Sequence, residues 1–371
     1  MRIGIVTFSR AVNYGAMLQA YAMQTYLQHR GHQVEFIDCV FEKKSNPQRI
    51  IISRRFPFLI LRPFALRNRS VVLEFGKRFT FTREYTSVED LRQDPPGCDV
   101  YLVGSDQMWN WNYFPMDDWL TVTFLDVFET QARRISYAVS FGCRLTKELQ
   151  ERVSPWLERF EAISVREDVG VEWVKEICGK PSHWHCDPTL LFDGTFYLDS
   201  LECRVTNKAR ERFIFAFFLE GGNVAHFEGH LLPILKKRGI GADKLSQTYQ
   251  WKSWLGLFMD VRRRKPVERW VDEISKASFV LTDSFHGTIF AVIFKRPFIA
   301  TLRNQQGYED MECRVISLLG RLGLSERLVN IETSEKDLER LVDTPINWDM
   351  AHERLAAWRK ETDNYFQGLG L

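Results

Sequence analysis

A chain of 371 residues, 45% hydrophobic and 13% aromatic, has the length for two domains and the apolar content for sizeable cores. Its net charge of +2 shows no overall basic bias of the kind that nucleic-acid binding needs. The seven cysteines (Cys39, Cys98, Cys143, Cys178, Cys186, Cys203, Cys313) are scattered, without short paired spacings. They argue against a disulfide framework or a zinc cage and fit a reducing, cytoplasmic compartment.

The first elements make a βαβ unit. Met1-Arg2 leads directly into Ile3–Phe8, which reads as a buried parallel strand rather than a secretory signal. A polar turn, Ser9 to Tyr14, precedes a predicted helix over Gly15–Arg30 that Gly31 stops, and Val34–Ile37 supplies the second strand. Strands are predicted at Val100–Val103, Ile135–Val139 and Ala162–Val165, with helical stretches such as Lys147–Phe160 between them. After Asp187-Pro188 a second set begins with a strand at Phe213–Leu219. It continues through helices at Ala225–Arg238 and Val267–Ser275, a strand at Phe279–Leu281 and a helix at Thr288–Phe294. A strand at Pro297–Thr301 and a helix at Met311–Leu322, closed by Gly323, complete it. An amphipathic helix over Met350–Phe366 ends the chain.

Strand alternating with helix is the signature of a doubly wound parallel sheet. The expected fold is therefore α/β. Two Rossmann-like domains, 1–190 and 191–345, face a central cleft, and a C-terminal helix occupies 346–371. No stretch of about 18 apolar residues is present, so no membrane span is predicted.

Open parallel sheets hold ligands beyond the carboxyl ends of their strands. Those ends carry Asn13-Tyr14-Gly15-Ala16, Gly104-Ser105-Asp106-Gln107 followed by Trp109-Asn110, Ser140-Phe141-Gly142, Arg166-Glu167, and Thr282-Asp283-Ser284-Phe285-His286-Gly287. The last is the sharpest. A strand feeds a short turn that sets His286 and Gly287 at a helix start, where free N–H groups and the positive dipole end favour a phosphate or carboxylate. Gly287 allows close backbone approach, Asp283 and Ser284 can cap the turn, and His286 can give or take a proton. The competing reading is an ordinary buried histidine with Asp283 as an N-cap.

Three other features carry less. Asp38 ends the second strand, where a dinucleotide-binding fold keeps its ribose acid, yet Ser9–Gly15 contains no G-x-G-x-x-G and argues against NAD. His183 and His185 share one face of a short strand while Cys186 points away, and no further ligand joins them, so no metal site is expected. Trp109, Trp111 and Trp119 either stack on sugars or simply pack.

Six segments stand in order: Asn13–Ala16, Val103–Asn110, Ser136-Tyr137-Ala138, Ser164-Val165-Arg166-Glu167, Asp187-Pro188-Thr189-Leu190-Leu191 and Thr282–Gly287. Together they resemble the polysaccharide pyruvyl transferases, whose fold is similar to that of two-domain GT-B glycosyltransferases. The likeness runs from residue 1 to about 325 and is weaker over 42–95. It implies transfer of pyruvate from phosphoenolpyruvate to a sugar of a cell-surface polysaccharide, exopolysaccharide or capsule, or to its lipid-linked precursor. A pyruvate ketal forms and phosphate is released. No resident cofactor or metal is expected.

The resemblance further implies a histidine acid/base, matched by His286, and an arginine matched by Arg166. In another branch of the family an arginine stands two places before the histidine, where this chain has Ser284. Lys295, Arg303 or Arg314 then becomes the candidate to meet the donor phosphate, unless Lys295-Arg296 is only a solvated helix end. Arg166, Ser284, Phe285, Gly287, Lys295, Arg303 and Arg314 make up the expected donor set. The expected acceptor set is Asn13, Tyr14, Gly15, Ser105, Asp106, Gln107, Trp109, Asn110 and Glu167. Asp106 and Glu167 either orient sugar hydroxyls or cap turns. Two rival functions stand beside this one: a GT-B glycosyltransferase using a nucleotide sugar, and a non-catalytic carbohydrate-binding subunit of a polysaccharide assembly complex.

Between Lys43 and Leu73 the chain carries Lys43, Lys44, Arg49, Arg54, Arg55, Arg62, Arg67 and Arg69 with no acidic residue, interleaved with Ile50–Ile52, Phe56, Phe58–Leu61 and Phe64. Cations mixed with large apolar groups suit the interface of an anionic membrane, here the inner face. The alternative is an insertion folded against the first domain. Pro57 and Pro63 preclude one long helix.

Overall fold

The computed structural model describes residues 1–11, 13–41, 74–113, 117–203, 213–219, 224–240, 247–248, 266–302 and 312–371. The basic stretch expected to meet a membrane lies outside the described residues, as does Arg303. Among the described residues, no helix is long and apolar enough to cross a membrane.

The chain divides into two compact units. One holds Gly76–Leu191 and Ala356–Leu371 together with the N-terminal strand–helix–strand; the other holds Phe192–Leu355. The first is built on β1 (Arg2–Val6), β2 (Gln33–Cys39), β3 (Phe81–Tyr85), β4 (Val100–Val103) and β5 (Arg133–Ser136). They run in the order β3-β2-β1-β4-β5, every pair parallel. Two short strands, β6 (Ser164–Val165) and β7 (His183–Trp184), pair with each other, and the bridges Ile135↔Ala162 and Val139↔Val165 attach β6 beyond β5. The sheet thus steps away in both directions from β1 and β4, the Rossmann progression, which leaves a crevice at their carboxyl ends.

The helix after β1, Tyr14–His29, starts where Asn13 Oδ1 accepts from the Ala16 N–H at 3.2 Å, and it stops before Gly31 at φ +85°. Eleven of its sixteen residues are buried, so it lacks a clean polar face and runs inside the unit rather than on it. Strand β3 and the helix Val88–Gln93 are absent from the sequence expectation. Phe81-Thr82-Arg83-Glu84-Tyr85 is mostly polar, and its pairing with β2 is what makes it a strand.

The second unit carries β8 (Ile214–Phe218), β9 (Gln247–Thr248), β10 (Phe279–Thr282), β11 (Phe298–Thr301) and β12 (Leu328–Val329) in the order β12-β11-β10-β8-β9, again all parallel. All five residues of β8 are buried, which is why it reads as an unbroken apolar run. Phe215 and Phe217 meet the Trp270 ring at 5.7 and 5.5 Å on one face. Ile214, Ala216 and Phe218 join Phe227, Leu231 and Ile234 on the other. Here the strand order reverses between β8 and β10, and the chain at the end of β10 is the His286 turn.

The C-terminal helix, Trp348–Gly368, is longer than expected and is no separate appendage. From Ala356 onward it belongs to the first unit. Trp358 Nε1 donates to the Trp184 carbonyl at 3.2 Å, Tyr365 donates to the Ser136 carbonyl at 2.9 Å, and the Phe366 ring lies 4.7 Å from that of Tyr137.

Candidate active site

In the second unit the turn after β10 is fixed from three sides. Thr282 Oγ1 donates to the Phe217 carbonyl of β8 and accepts from the Ser284 N–H at 3.0 Å. Asp283 Oδ1 accepts from the Leu219 N–H at 2.6 Å, fastening the ends of β8 and β10 together. Ser284 is the N-cap of the helix Phe285–Ile293: its Oγ accepts from the Gly287 N–H at 3.2 Å and its carbonyl from the Thr288 N–H at 2.9 Å. The helix therefore begins three residues earlier than the sequence suggests, and His286 and Gly287 lie inside its first turn. Asp283 ties strands rather than capping the helix, and Ser284 alone caps it. A methyl group at Gly287 would stand 2.5 Å from Thr282 Oγ1, so glycine is required here by strand packing.

His286 is 7% exposed, and its ring lies edge-to-face with that of Phe285 at 5.3 Å. Arg314, in the first turn of the helix Cys313–Leu322, is also buried, and its guanidinium stands 5.8 Å from the Phe285 ring centroid. Arg314 thus shares the His286 end of this helix. Lys295 does not: it follows the C-cap Phe294, nine helical residues on, roughly 13 Å along the axis from the site. Its expected place in the donor set does not survive, because a helix C-terminus also repels anions.

The first unit's crevice holds a buried charge network. Arg166, with a side chain 1% exposed, donates from Nη1 to Asp187 Oδ2 at 2.8 Å and from Nη2 to Asp106 Oδ1 at 3.2 Å. Burial works to lower the guanidinium pKa, but Asp106, Asp187 and Glu167 outweigh it and hold it above the ordinary arginine value. Asp187 is saturated: Oδ2 also accepts from Ser105 Oγ at 3.1 Å, and Oδ1 accepts from the Thr189 N–H at 3.0 Å and its Oγ1 at 2.6 Å. An arginine held this way has little left with which to grip a ligand carboxylate. The donor-gripping role that the resemblance suggested for Arg166 does not fit this geometry.

Several expected acceptor residues are structural. Trp109 is a core residue, 1% exposed, stacked on Phe124 at 5.1 Å with Nε1 donating to the Thr123 carbonyl. Glu167 is fully buried, and its Oε1 accepts from the Phe141 N–H at 2.7 Å and Ser140 Oγ at 3.0 Å, pinning that loop. Asn110 Nδ2 donates to Gln107 Oε1 at 2.7 Å, and a methyl at Gly142 (φ +65°) would meet both at 2.3 Å. Asn13 caps the first helix, with Tyr14 and Gly15 buried behind it. Ser105, also fully buried, donates to the Ala138 carbonyl at 3.0 Å as well as to Asp187. Asp106, like Asn13, keeps partial exposure. Its side chain is 13% exposed at the carboxyl end of β4.

Sequence reading missed the partner roles of Asp187, Thr282 and Arg10. Asp187 was visible within its motif, but nothing in the spacing paired it with Arg166. Arg10 grips Asp38 through two bonds of 2.7 and 2.6 Å, occupying the carboxylate that a ribose would need. His185 accepts or donates at Ser164 Oγ, 2.9 Å away, and lies among the rings of His183 and Tyr365. Among the described residues, no group of three or more His, Cys, Asp or Glu side chains could hold a metal ion.

Burial pushes the thiols of Cys39 and Cys98 up to about 12 and that of Cys186 up to about 11. These three are expected to resist Ellman's reagent at pH 8 in the folded protein and to react once it is unfolded, since the thiolate is the attacking species. Rapid native-state labelling of Cys186 would contradict its buried setting.

Two parallel sheets, each with its polar turns at the point where strand order reverses, define a two-Rossmann-domain α/β protein of the GT-B-like class. Solved structures with this architecture include S. aureus MnaA with UDP, 10% identical with a TM-score of 0.52 over 95% of this chain and 90% of that one. Another is UDP-GlcNAc 2-epimerase from Neisseria meningitidis bound to UDP-GlcNAc, 10% identical with a TM-score of 0.50 over 96% of this chain and 100% of that one. At such identity the likeness concerns fold. The chain belongs to the polysaccharide pyruvyl transferase family, whose model matches residues 13–305. Among curated proteins, none matches the chain.

Proposed function

We propose that this enzyme transfers pyruvate from phosphoenolpyruvate to two hydroxyls of one sugar, in a cell-surface polysaccharide or its lipid-linked precursor. The observation that carries the reading is the turn Thr282–Gly287, which sets His286 in the first turn of a Ser284-capped helix with Arg314 beside it. A helix start and an arginine suit a ligand that bears both a phosphate and a carboxylate.

The proton balance of ketal formation fits one acid/base. The methylene carbon of the donor gains a proton and becomes methyl, two sugar oxygens bond to the adjacent carbon, and the carbon–oxygen bond to phosphate breaks. The two hydroxyl protons end on the methyl group and on phosphate, so none is gained or lost overall. A single histidine that takes a proton from a hydroxyl and returns it at the next step can serve this sequence. The donor is a co-substrate, and no resident cofactor enters the scheme.

Phosphoenolpyruvate at one hundred times its dissociation constant is expected to stabilise the fold by ~2.7 kcal/mol, read as a rise in Tm. Release of inorganic phosphate should depend on adding a saccharide acceptor. Stabilisation by a nucleotide sugar without any by phosphoenolpyruvate would instead identify a glycosyltransferase. Saccharide binding with no donor response would identify a carbohydrate-binding subunit.

A further inference from the structure

The geometry points to Asp106 as a carboxylate that accepts a hydroxyl of the sugar acceptor, and to Arg166 as the positioning residue that aims it. This rests on the proposed pyruvyl transfer for the identity of the acceptor, but not for the contact itself.

Asp106 stands where β4 ends beside β1, the point in the first sheet where the strand order reverses and ligands of such folds bind. Its backbone is held at φ +73°, with its carbonyl accepting from the Met108 and Ser140 N–H groups at 2.8 Å each. The preceding Gly104, at φ +118°, has the Tyr137 carbonyl oxygen 2.3 Å from where a Cβ would stand, so no other residue fits that approach. The carboxylate is fixed as firmly as the backbone. Oδ1 accepts from the Gln107 N–H at 2.9 Å and from Arg166 Nη2 at 3.2 Å. Both anchoring bonds fall on the same oxygen. Among the described residues no donor meets Oδ2, which leaves it for a donor from solution, on a side chain that is 13% exposed among neighbours that are almost wholly buried.

Charge decides what kind of group that donor is. Arg166 already faces Asp187, which is fully buried and saturated, and it also lies within the influence of Asp106 and Glu167. With Oδ1 already taken by Arg166 and the Gln107 N–H, an ionised Oδ2 is an acceptor, which suits an O–H group that donates rather than an anion. A sugar offers such groups. Arg166, whose fork spans Asp187 and Asp106, converts the buried anchor into a fixed direction for Oδ2. A lysine there keeps the charge but cannot reach both carboxylates with parallel bonds.

The experiment measures saccharide binding by titration calorimetry, using a panel of neutral hexose and N-acetylhexosamine oligosaccharides, alongside the phosphoenolpyruvate thermal shift. Wild type, Asp106→Asn and Arg166→Lys are compared. Asparagine tolerates the left-handed backbone and keeps an oxygen for the Gln107 N–H while replacing Oδ2 by an N–H donor. The expected result is at least tenfold weaker saccharide binding in Asp106→Asn, with a smaller fall in Tm than Arg166→Ala gives, since Asp187 still faces the guanidinium. The phosphoenolpyruvate shift should stay equal to wild type in both variants. In turnover, Arg166→Lys should raise KM for the saccharide more than it lowers kcat, a split that mere loosening of the fold would not give. Absence of any saccharide binding that depends on Asp106 overturns the inference, whether or not phosphate is released. Loss of the phosphoenolpyruvate shift in Arg166→Lys overturns it too, by returning Arg166 to the donor. Asp106-dependent binding without phosphate release supports the contact and counts against the proposed reaction alone.

Discussion

His286→Ala is expected to lower turnover by at least the ~10²–10⁴-fold typical of a positioned acid/base, while phosphoenolpyruvate binding stays within about tenfold of wild type. The separation follows from the site. In the proposed reaction proton transfer falls to the imidazole, whereas anion recognition falls to the helix start and to Arg314, neither of which the substitution touches. The ring is buried and packs against Phe285, so its loss also lowers stability, an effect read separately from turnover by Tm. Phosphate release from phosphoenolpyruvate with a saccharide acceptor reads the first quantity, and the thermal shift reads the second. Wild-type turnover in His286→Ala would remove the acid/base role. A proportional loss of turnover and donor affinity would turn the histidine into a binding residue.

Arg166→Ala is expected to destabilise the first unit by about 3–5 kcal/mol, because it leaves the buried Asp187 carboxylate without its counter-charge. For a unit of this size that corresponds to a fall in Tm on the order of 6–20 °C. The motif alone places Arg166 in the donor set, where its loss would weaken donor binding. Burial separates the two. A guanidinium 1% exposed and bonded to two carboxylates belongs to the architecture, and its removal is felt there first. Differential scanning calorimetry decides the matter: an Arg166→Ala protein as stable as wild type, with a lost phosphoenolpyruvate response, would restore the donor assignment.

How much of this was legible beforehand follows from range of interaction. Helix starts announce themselves locally. Asn13 and Ser284 cap within three residues, Gly31 and Gly323 stop helices by adopting positive φ, and the apolar run of β8 marks a strand buried on both faces. Strands alternating with such helices fix the parallel class, and parallel sheets carry ligands at their carboxyl ends, so the His286 and Asp106 turns could be found without coordinates. Elements whose stability comes from a neighbour were not legible. Strand β3 is largely polar and exists because β2 offers it an edge, whereas β6 and β7, both anticipated as short strands, prove to be two residues each.

The sequence by itself determined the fold class, the order of the elements and the short list of polar turns, because propensity, capping and hydrophobic period act within a few residues. Only the tertiary structure decided what each polar residue does. Trp109 and Glu167 share a motif-rich neighbourhood with Asp106, yet packing against Phe124 buries the first, and the Ser140–Gly142 loop engages the second. Arg166 is 60 residues from Asp106 and 21 from Asp187, separations that no local pattern can pair. Lys295 is close to His286 in sequence and distant in space because they stand at opposite ends of a nine-residue helix. The charge of a side chain is written in the sequence. Whether that charge faces a ligand or a buried counter-ion depends on contacts made only when distant strands come together.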